Sequence, residues 1–445
     1  MSNIEIDGQK LLYFMNLRKI TPMVMREKIG LPIDEISGQP ILIKKSDADK
    51  ISTFLNIAQD DLVTAKLPHF LYQSHNELYL SKRPIYRDGM HFYNYYSLPS
   101  PKGFVSPVIL DILCPENVIP QLNNGHFEEA ITVNLGPGSI YGRWGDDINN
   151  STAFSIMHAN DGDESWILGD SYFEPSYCRH SYSLVNNKKP ARILSYTAYN
   201  DLADFKKSAI SSSDFVKNNL YNNFYSNDAI GVLKKYLSAQ MKSMEDLCND
   251  VKITSSDLSS LEHGSISNSL VKKIADYLKI DPRLLLNGSS GGDALGKEYC
   301  SLSESRERIR KFGEYIVAPI ASSSRAPDLK GSFVKLDNVV NGSDLILGHN
   351  VHYLVTSGKI YFVPDIPACL SDSNQLQEMT KDDTLWVAAG VKHKFIGTGS
   401  YLMVTNGQGN SYLNHYALQN VWDSNVLLER LKAEETDWGY EKATK

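Results

Sequence analysis

The sequence predicts an α+β protein of 445 residues, a tandem repeat in which a small helical block precedes a β-rich block twice. Three observations carry this. Ile51–Leu62 sets its apolar residues at helical spacing, and Ile274–Leu285 repeats the pattern. Upstream, Met25–Pro32 parallels Leu247–Thr254. After each helical stretch the chain turns to apolar-polar alternation, as in Pro107–Leu113 and Ala191–Tyr196 in the first half and Tyr353–Thr356 and Lys359–Phe362 in the second. Turn signals such as Gly136-Pro137-Gly138 punctuate these runs. The expected order is a helical domain over 1–75, a barrel over 76–205, a second helical domain over 206–290, and a second, degenerate barrel with a C-terminal tail over 291–445. Asn287–Asp293 is a Gly/Ser-rich link, and a less sharp boundary lies near Tyr221–Asn223.

The helical blocks resemble the small helix-turn-helix bundles of bacterial repressors. The β-rich blocks combine short strands, Gly-rich turns and inward histidines. That combination suits a double-stranded β-helix barrel of the cupin type.

Composition narrows the class. Hydrophobic residues make up 42% and charged residues 22%, as in ordinary globular proteins. No apolar run approaches a membrane span. The segment Met1–Asp7 lacks the basic-then-apolar pattern of a secretory signal, so a cytoplasmic location is the expectation. The net charge of -7 disfavours non-specific nucleic-acid binding. The 5 cysteines are widely spaced and form no C-x-x-C pair, which argues against a disulfide framework and a structural zinc site.

His126, Glu174 and His180 are the candidate metal ligands. Two histidines and a carboxylate form the ligand set of mononuclear non-haem iron(II) sites, with positions left open for substrate and dioxygen. Glu128 and Glu129 compete with Glu174 for the carboxylate position. In the second barrel, His349, His352 and His393 invite a second metal site. Setting His393 on His180, however, puts the position of Glu174 near Val387, so a structural barrel is expected there.

Arg87 precedes the aromatic run His91–Tyr96, where alternation puts His91, Tyr93 and Tyr95 on one face. A guanidinium beside phenols suits a phosphate or phosphonate clamp, and equally a surface arginine over packed rings. Lys19 reads as a surface lysine of the first helical block.

Arg83–Tyr96, Asn123–His126, Ala130–Gly138, Gly142–Gly145 and Gly169–Cys178 together resemble the 2-hydroxyethylphosphonate dioxygenase family. The resemblance runs along most of the chain. It implies tandem helical-plus-cupin repeats, iron(II) as cofactor, and His126, Glu174 and His180 as its ligands. It also implies substrate contacts from Lys19, Arg87, Tyr95, Asn123 and His180, with the helical domain that carries Lys19 closing over the barrel mouth. The implied reaction cleaves the carbon-carbon bond of 2-hydroxyethylphosphonate with dioxygen, giving hydroxymethylphosphonate and formate without 2-oxoglutarate. The family also uses a lysine from its C-terminal half, and Tyr401–Thr405 offers none.

Methylphosphonate synthase, a related enzyme on the same substrate, has two histidines and a glutamine at its iron, whereas this chain has Glu174. A cupin-type transcriptional regulator is the competing non-enzymatic class. Its recognition helix needs basic residues, and Pro32–Ser37 and Ser255–Ser260 have none. A cupin isomerase or storage-type binding protein is a third reading. It needs no dioxygen and no dedicated anion clamp.

Overall fold

The computed structural model describes residues 3–18, 20, 22–30, 41–63, 68–87, 89–126, 128–145, 153–162, 164–176, 178–199, 229–262, 267–285, 297–366 and 376–409. The predicted link at 287–293, the boundary near 221–223 and Lys19 lie outside them.

In chain order the elements are β1 (Asn3–Ile6), α1 (Gly8–Leu17), α2 (Pro22–Ile29), β2 (Ile41–Lys44), α3 (Lys45–Leu55), α4 (Gln59–Leu62), β3 (Phe70–Gln73), α5 (His75–Leu80), β4 (Arg83–Arg87), β5 (Met90–Ser97) and β6 (Val108–Ile112). There follow β7 (Ala130–Pro137), β8 (Ile140–Trp144), β9 (Ala153–Met157), β10 (Ser171–Glu174), β11 (His180–Leu184) and β12 (Ala191–Thr197). The second half has α6 (Ala229–Ala239), α7 (Met244–Val251), α8 (Ser255–Glu262), α9 (Asn268–Leu278), a short 3₁₀ turn (Pro282–Leu285), β13 (Glu298–Cys300) and α10 (Leu302–Glu307). It ends with β14 (Arg310–Phe312), β15 (Tyr315–Pro319), β16 (Leu329–Val339), β17 (Val351–Pro364), β18 (Gln377–Thr380), β19 (Thr384–Val387) and β20 (His393–Asn406). No helix among the described residues is long and apolar enough to cross a membrane.

The first helical block is not purely helical. β1 and β2 pair antiparallel, Asn3 against Lys44 through Ile6 against Ile41, and lay apolar residues over α1 and α3. The β-branched Ile41 and Ile43 on either side of Leu42 explain why this stretch extends rather than coils. In the second block, Ser243 and Ser267 cap α7 and α9, each accepting a backbone N–H of the first turn. Val271, Ile274, Ala275 and Leu278 form the buried face of α9 at helical spacing.

The first barrel combines a sheet ordered β13-β10-β7-β12-β6-β5-β4 with a second sheet ordered β11-β8-β9. The second barrel is a single sheet ordered β14-β15-β16-β20-β17-β19-β3, with β18 on β17. Each barrel has its own buried interior. A third cluster joins them, drawing Ile131, Phe173 and Tyr196 from one and Ala318, Phe333, Leu354 and Leu402 from the other. Each large apolar side chain removed from water in this joint contributes about 1.5–3 kcal/mol, so the two barrels behave as one packed body.

The sheet order shows an exchange that sequence reading does not. β3, which the boundary at 75/76 puts in the helical domain, is a strand of the second barrel and pairs with β19. β13 reciprocates by pairing with β10 of the first barrel. A Ser-x-x-Glu capping box follows each exchanged strand, Ser74/Glu77 on α5 and Ser301/Glu304 on α10. A buried aspartate ties each helix to its host barrel. Asp383 accepts the His75 and Thr380 amides, both at 2.7 Å. Asp170 accepts the Leu302 and His158 amides at 2.8 and 2.7 Å.

Candidate metal centre

Glu174 ends β10 and His180 begins β11, with Pro175 in the turn between them. His126 lies just before β7, and the β7–β10 pairing of Ala130 with Glu174 brings it to the same end of the barrel. The ligand-capable atoms of all three lie within 4.8 Å of one another. Nε2 of His126 is 2.9 Å from Oε1 of Glu174, and Nδ1 of His180 is 3.4 Å from the same oxygen. Glu174 is fully buried, and among the described residues its Oε2 has no hydrogen-bond partner. A buried carboxylate oxygen without a donor is costly unless a cation takes its lone pairs, so these residues fit a bound metal.

Backbone carbonyls orient both rings. Nδ1 of His126 faces the Glu128 carbonyl at 2.6 Å, and Nδ1 of His180 faces the Cys178 carbonyl at 2.9 Å. Donation from Nδ1 orients each ring, and once Nε2 of His126 gives up the proton it shares with Glu174 it offers the lone pair a metal ligand needs. Glu128 thus serves through its carbonyl, while the carboxylate of the cluster is that of Glu174. Burial lowers the pKa of His126, but the hydrogen bond to Glu174, the charge of that carboxylate and the Glu128 carbonyl outweigh it and raise the pKa above its ordinary value.

Asn123 braces the site. Its Oδ1 accepts the Gly125 and His180 amides, both at 2.9 Å, and its Nδ2 is 2.8 Å from Nε2 of His180. Arg87, Tyr93, Tyr95, Asn123, His126 and His180 line one cavity of about 190 Å³. Arg87 donates to the Gln121 carbonyl at 2.8 Å and lies over the Tyr93 ring. Burial raises the pKa of the Tyr95 phenol despite the opposing pull of Arg87 and Arg83, so it remains a hydroxyl donor. His91 does not join Tyr93 and Tyr95 in this lining. Beyond the β4–β5 bulge it turns to Asn94 at 2.8 Å and stacks on Tyr86. A larger cavity of about 820 Å³ lies between the barrels along Asp111, Arg192 and Asp382, and none of the three candidate ligands lines it.

The second barrel repeats the scaffold without the ligands. His393 begins β20 as His180 begins β11, and its Nδ1 faces the Val391 carbonyl at 2.8 Å. Its Nε2 is closed off by the Tyr353 hydroxyl at 2.6 Å. Val387 ends β19 where Glu174 ends β10, and Leu347 stands four residues before β17 as His126 stands before β7. Phe362, Phe395 and Tyr401 fill the interior around Tyr353. His352 instead joins the barrels, 2.9 Å from the Ser100 hydroxyl, and His349 lies 3.4 Å from Asp328.

Lys297, which the sequence reading passes over, lies beside the site. It precedes β13, is only 2% exposed, and sets its ammonium 3.9 Å from the centre of the Trp144 ring. Trp144 pairs with His180 across β8 and β11. Its ring folds back over Gly142, where a Cβ would collide with it.

Residues 80–198 match the family model described as a 2-hydroxyethylphosphonate dioxygenase cupin-like domain. The chain is 35% identical over 451 aligned residues to the 2-hydroxyethylphosphonate dioxygenase of Streptomyces viridochromogenes, covering 98% of this chain and 100% of that protein. A solved structure of PhpD with cadmium superposes with a TM-score of 0.82 at 35% identity, covering 96% of this chain and 100% of that one. PhpD with cadmium and hydroxyethylphosphonate gives 0.81 at the same identity and coverage. An enzyme of Streptomyces albus, at 16% identity over 95% of this chain and 96% of its own, shares the fold with a TM-score of 0.73. The chain belongs to the 2-hydroxyethylphosphonate dioxygenase family.

Proposed function

We propose that this dioxygenase uses iron(II) and dioxygen to cleave the carbon-carbon bond of 2-hydroxyethylphosphonate, giving hydroxymethylphosphonate and formate. The observation that carries the reading is the Glu174 oxygen left without a partner among the described residues, beside two imidazoles that line a cavity with a cationic, hydroxyl-bearing wall. His126, Glu174 and His180 would hold the metal. Iron(II) bound there supplies open positions at which a hydroxyalkylphosphonate and dioxygen meet. That similar PhpD structures hold cadmium, one of them with hydroxyethylphosphonate, supports both the metal and the substrate class.

The remaining roles belong to the chain's own side chains. The Arg87 guanidinium would make a charge-assisted hydrogen bond to a phosphonate oxygen. The Tyr95 hydroxyl and the Asn123 amide would donate to the others, fixing which end of the substrate faces the histidines. The cavity suits a ligand of a few heavy atoms. The cleavage balances with one dioxygen, because the substrate itself supplies all four electrons, so 2-oxoglutarate is not required.

Phosphorus NMR of products formed from 2-hydroxyethylphosphonate, iron(II) and oxygen tests the reading. Hydroxymethylphosphonate with an equivalent of formate is the expected result. Methylphosphonate with carbon dioxide would move the chain to the synthase branch, and no oxygen-dependent product would remove the substrate assignment.

A further inference from the structure

The two halves can be superposed through their strand registers. In the second barrel Thr384 pairs with Gln73, and the ladder ends with Val387 against Phe70. In the first, Ser171 pairs with Cys300, Tyr172 with Tyr299 and Phe173 with Glu298. Continued one step beyond its last pair, this register sets Glu174 opposite Lys297, where the second barrel has Val387 opposite Phe70. An apolar pair in the sealed barrel is replaced by a carboxylate and an ammonium in the barrel with the metal chamber. Phe70 packs edge-on against Phe362 at 5.1 Å inside the second barrel. Lys297 takes the equivalent inward direction, over Trp144 and Tyr299, and donates to the Tyr299 hydroxyl at 3.0 Å.

Directly opposed residues of an antiparallel pair project from the same face with their Cβ atoms about 5 Å apart. Lys297 and Glu174 therefore share the inner wall. Around them stand Tyr172, which meets Trp144 edge-on at 4.9 Å, and Trp144, cross-strand from His180. A cation enclosed by aromatic rings is weakly screened, so its field reaches the chamber.

We propose that Lys297 is a positioning residue of the metal centre, a buried cation carried into the first barrel by the other half of the chain. It holds down the site's affinity for a divalent cation and strengthens its hold on an anionic substrate. The inference rests on the reading of His126, Glu174 and His180 as a metal site. Its consequence has an unusual sign, because removing Lys297 should tighten metal binding and loosen phosphonate binding.

The experiment titrates metal-free full-length protein with cobalt(II), followed by calorimetry and visible absorption. 2-Hydroxyethylphosphonate is then titrated into the cobalt-loaded protein without oxygen. Lys297→Met removes the charge, and Lys297→Gln removes it while keeping a donor for Tyr299. Thermal melting establishes that each variant is folded. The expected result is cobalt(II) bound roughly tenfold more tightly, and the phosphonate roughly tenfold more weakly, in both folded variants. Unchanged or weaker cobalt(II) binding in a folded variant overturns the proposal, as does failure of both variants to fold, since Lys297 would then be structural. Failure of the wild type to bind cobalt(II) would instead remove the metal reading beneath it.

Discussion

Glu174 and Val387 occupy the same strand end in the two barrels, and the difference between them accounts for most of what separates the halves. Where the carboxylate stands, an oxygen is left for a metal. Where the valine stands, Tyr353 and Phe395 close the space. The His126, Glu174 and His180 cluster was legible in the sequence as a candidate ligand set, because two imidazoles and a carboxylate narrow the chemistry by residue type alone. Residue type left Glu128 and Glu129 as alternatives; the family resemblance selected Glu174, and the strand register sets it beside His126. Lys297 was not legible, because its meaning lies in a cross-strand partner more than a hundred residues away. At this scale Arg87 gives the first prediction. Arg87→Ala should raise KM for the phosphonate about 10- to 100-fold with kcat changed far less, because one charge-assisted hydrogen bond is lost. Steady-state kinetics check it, and an unchanged KM would place the phosphonate elsewhere.

Two short strands, β3 and β13, are where sequence reading and structure part. Periodicity reports a local conformation, and these strands are defined by pairing across the molecule. Their anchors are local enough to test. Asp170 and Asp383 are both buried, and each accepts two backbone amides. Replacing either by alanine leaves two buried donors unsatisfied, so both substitutions should cost about 2–4 kcal/mol in denaturant unfolding. Only Asp170→Ala should also alter metal affinity, because α10 and β13 hang from it beside Glu174. Equal effects on metal binding from both variants would mean that the exchanged strand does not shape the site.

Across the whole molecule, the tandem repeat was readable from pattern, whereas the shared core that fuses the barrels was not, because it is built from residues scattered through both halves. Two buried histidines make this assembly acid-sensitive. Burial pushes His352, at the joint, down to about 3, and His393, in the second interior, down to about 4, from an ordinary 6.5. The unfolded chain takes up these protons first. The stability they confer is therefore full above about pH 6.5 and is lost as pH falls through about 4 and then about 3. The His393 contribution is on the order of 3 kcal/mol. His126 acts in the opposite sense in the metal-free chain, its raised pKa adding stability that is lost as pH rises. The comparison is therefore made against His393→Gln, whose denaturant stability should fall less than that of the wild type between pH 7 and pH 4. Parallel losses in the two proteins would show that His393 is not the source.

His126, Glu174 and His180 are proposed as a metal site because Glu174 stands buried with an oxygen unclaimed among the described residues. The most direct measurement is calorimetric titration of iron(II), without oxygen, into metal-free wild type and Glu174→Ala, with melting temperatures recorded for both. One iron per wild-type chain is expected, with a loss in the variant exceeding the roughly 10- to 100-fold that removing an outer partner of a metal ligand costs, and with folding retained. Iron bound equally well by a folded Glu174→Ala protein would remove Glu174 from the site.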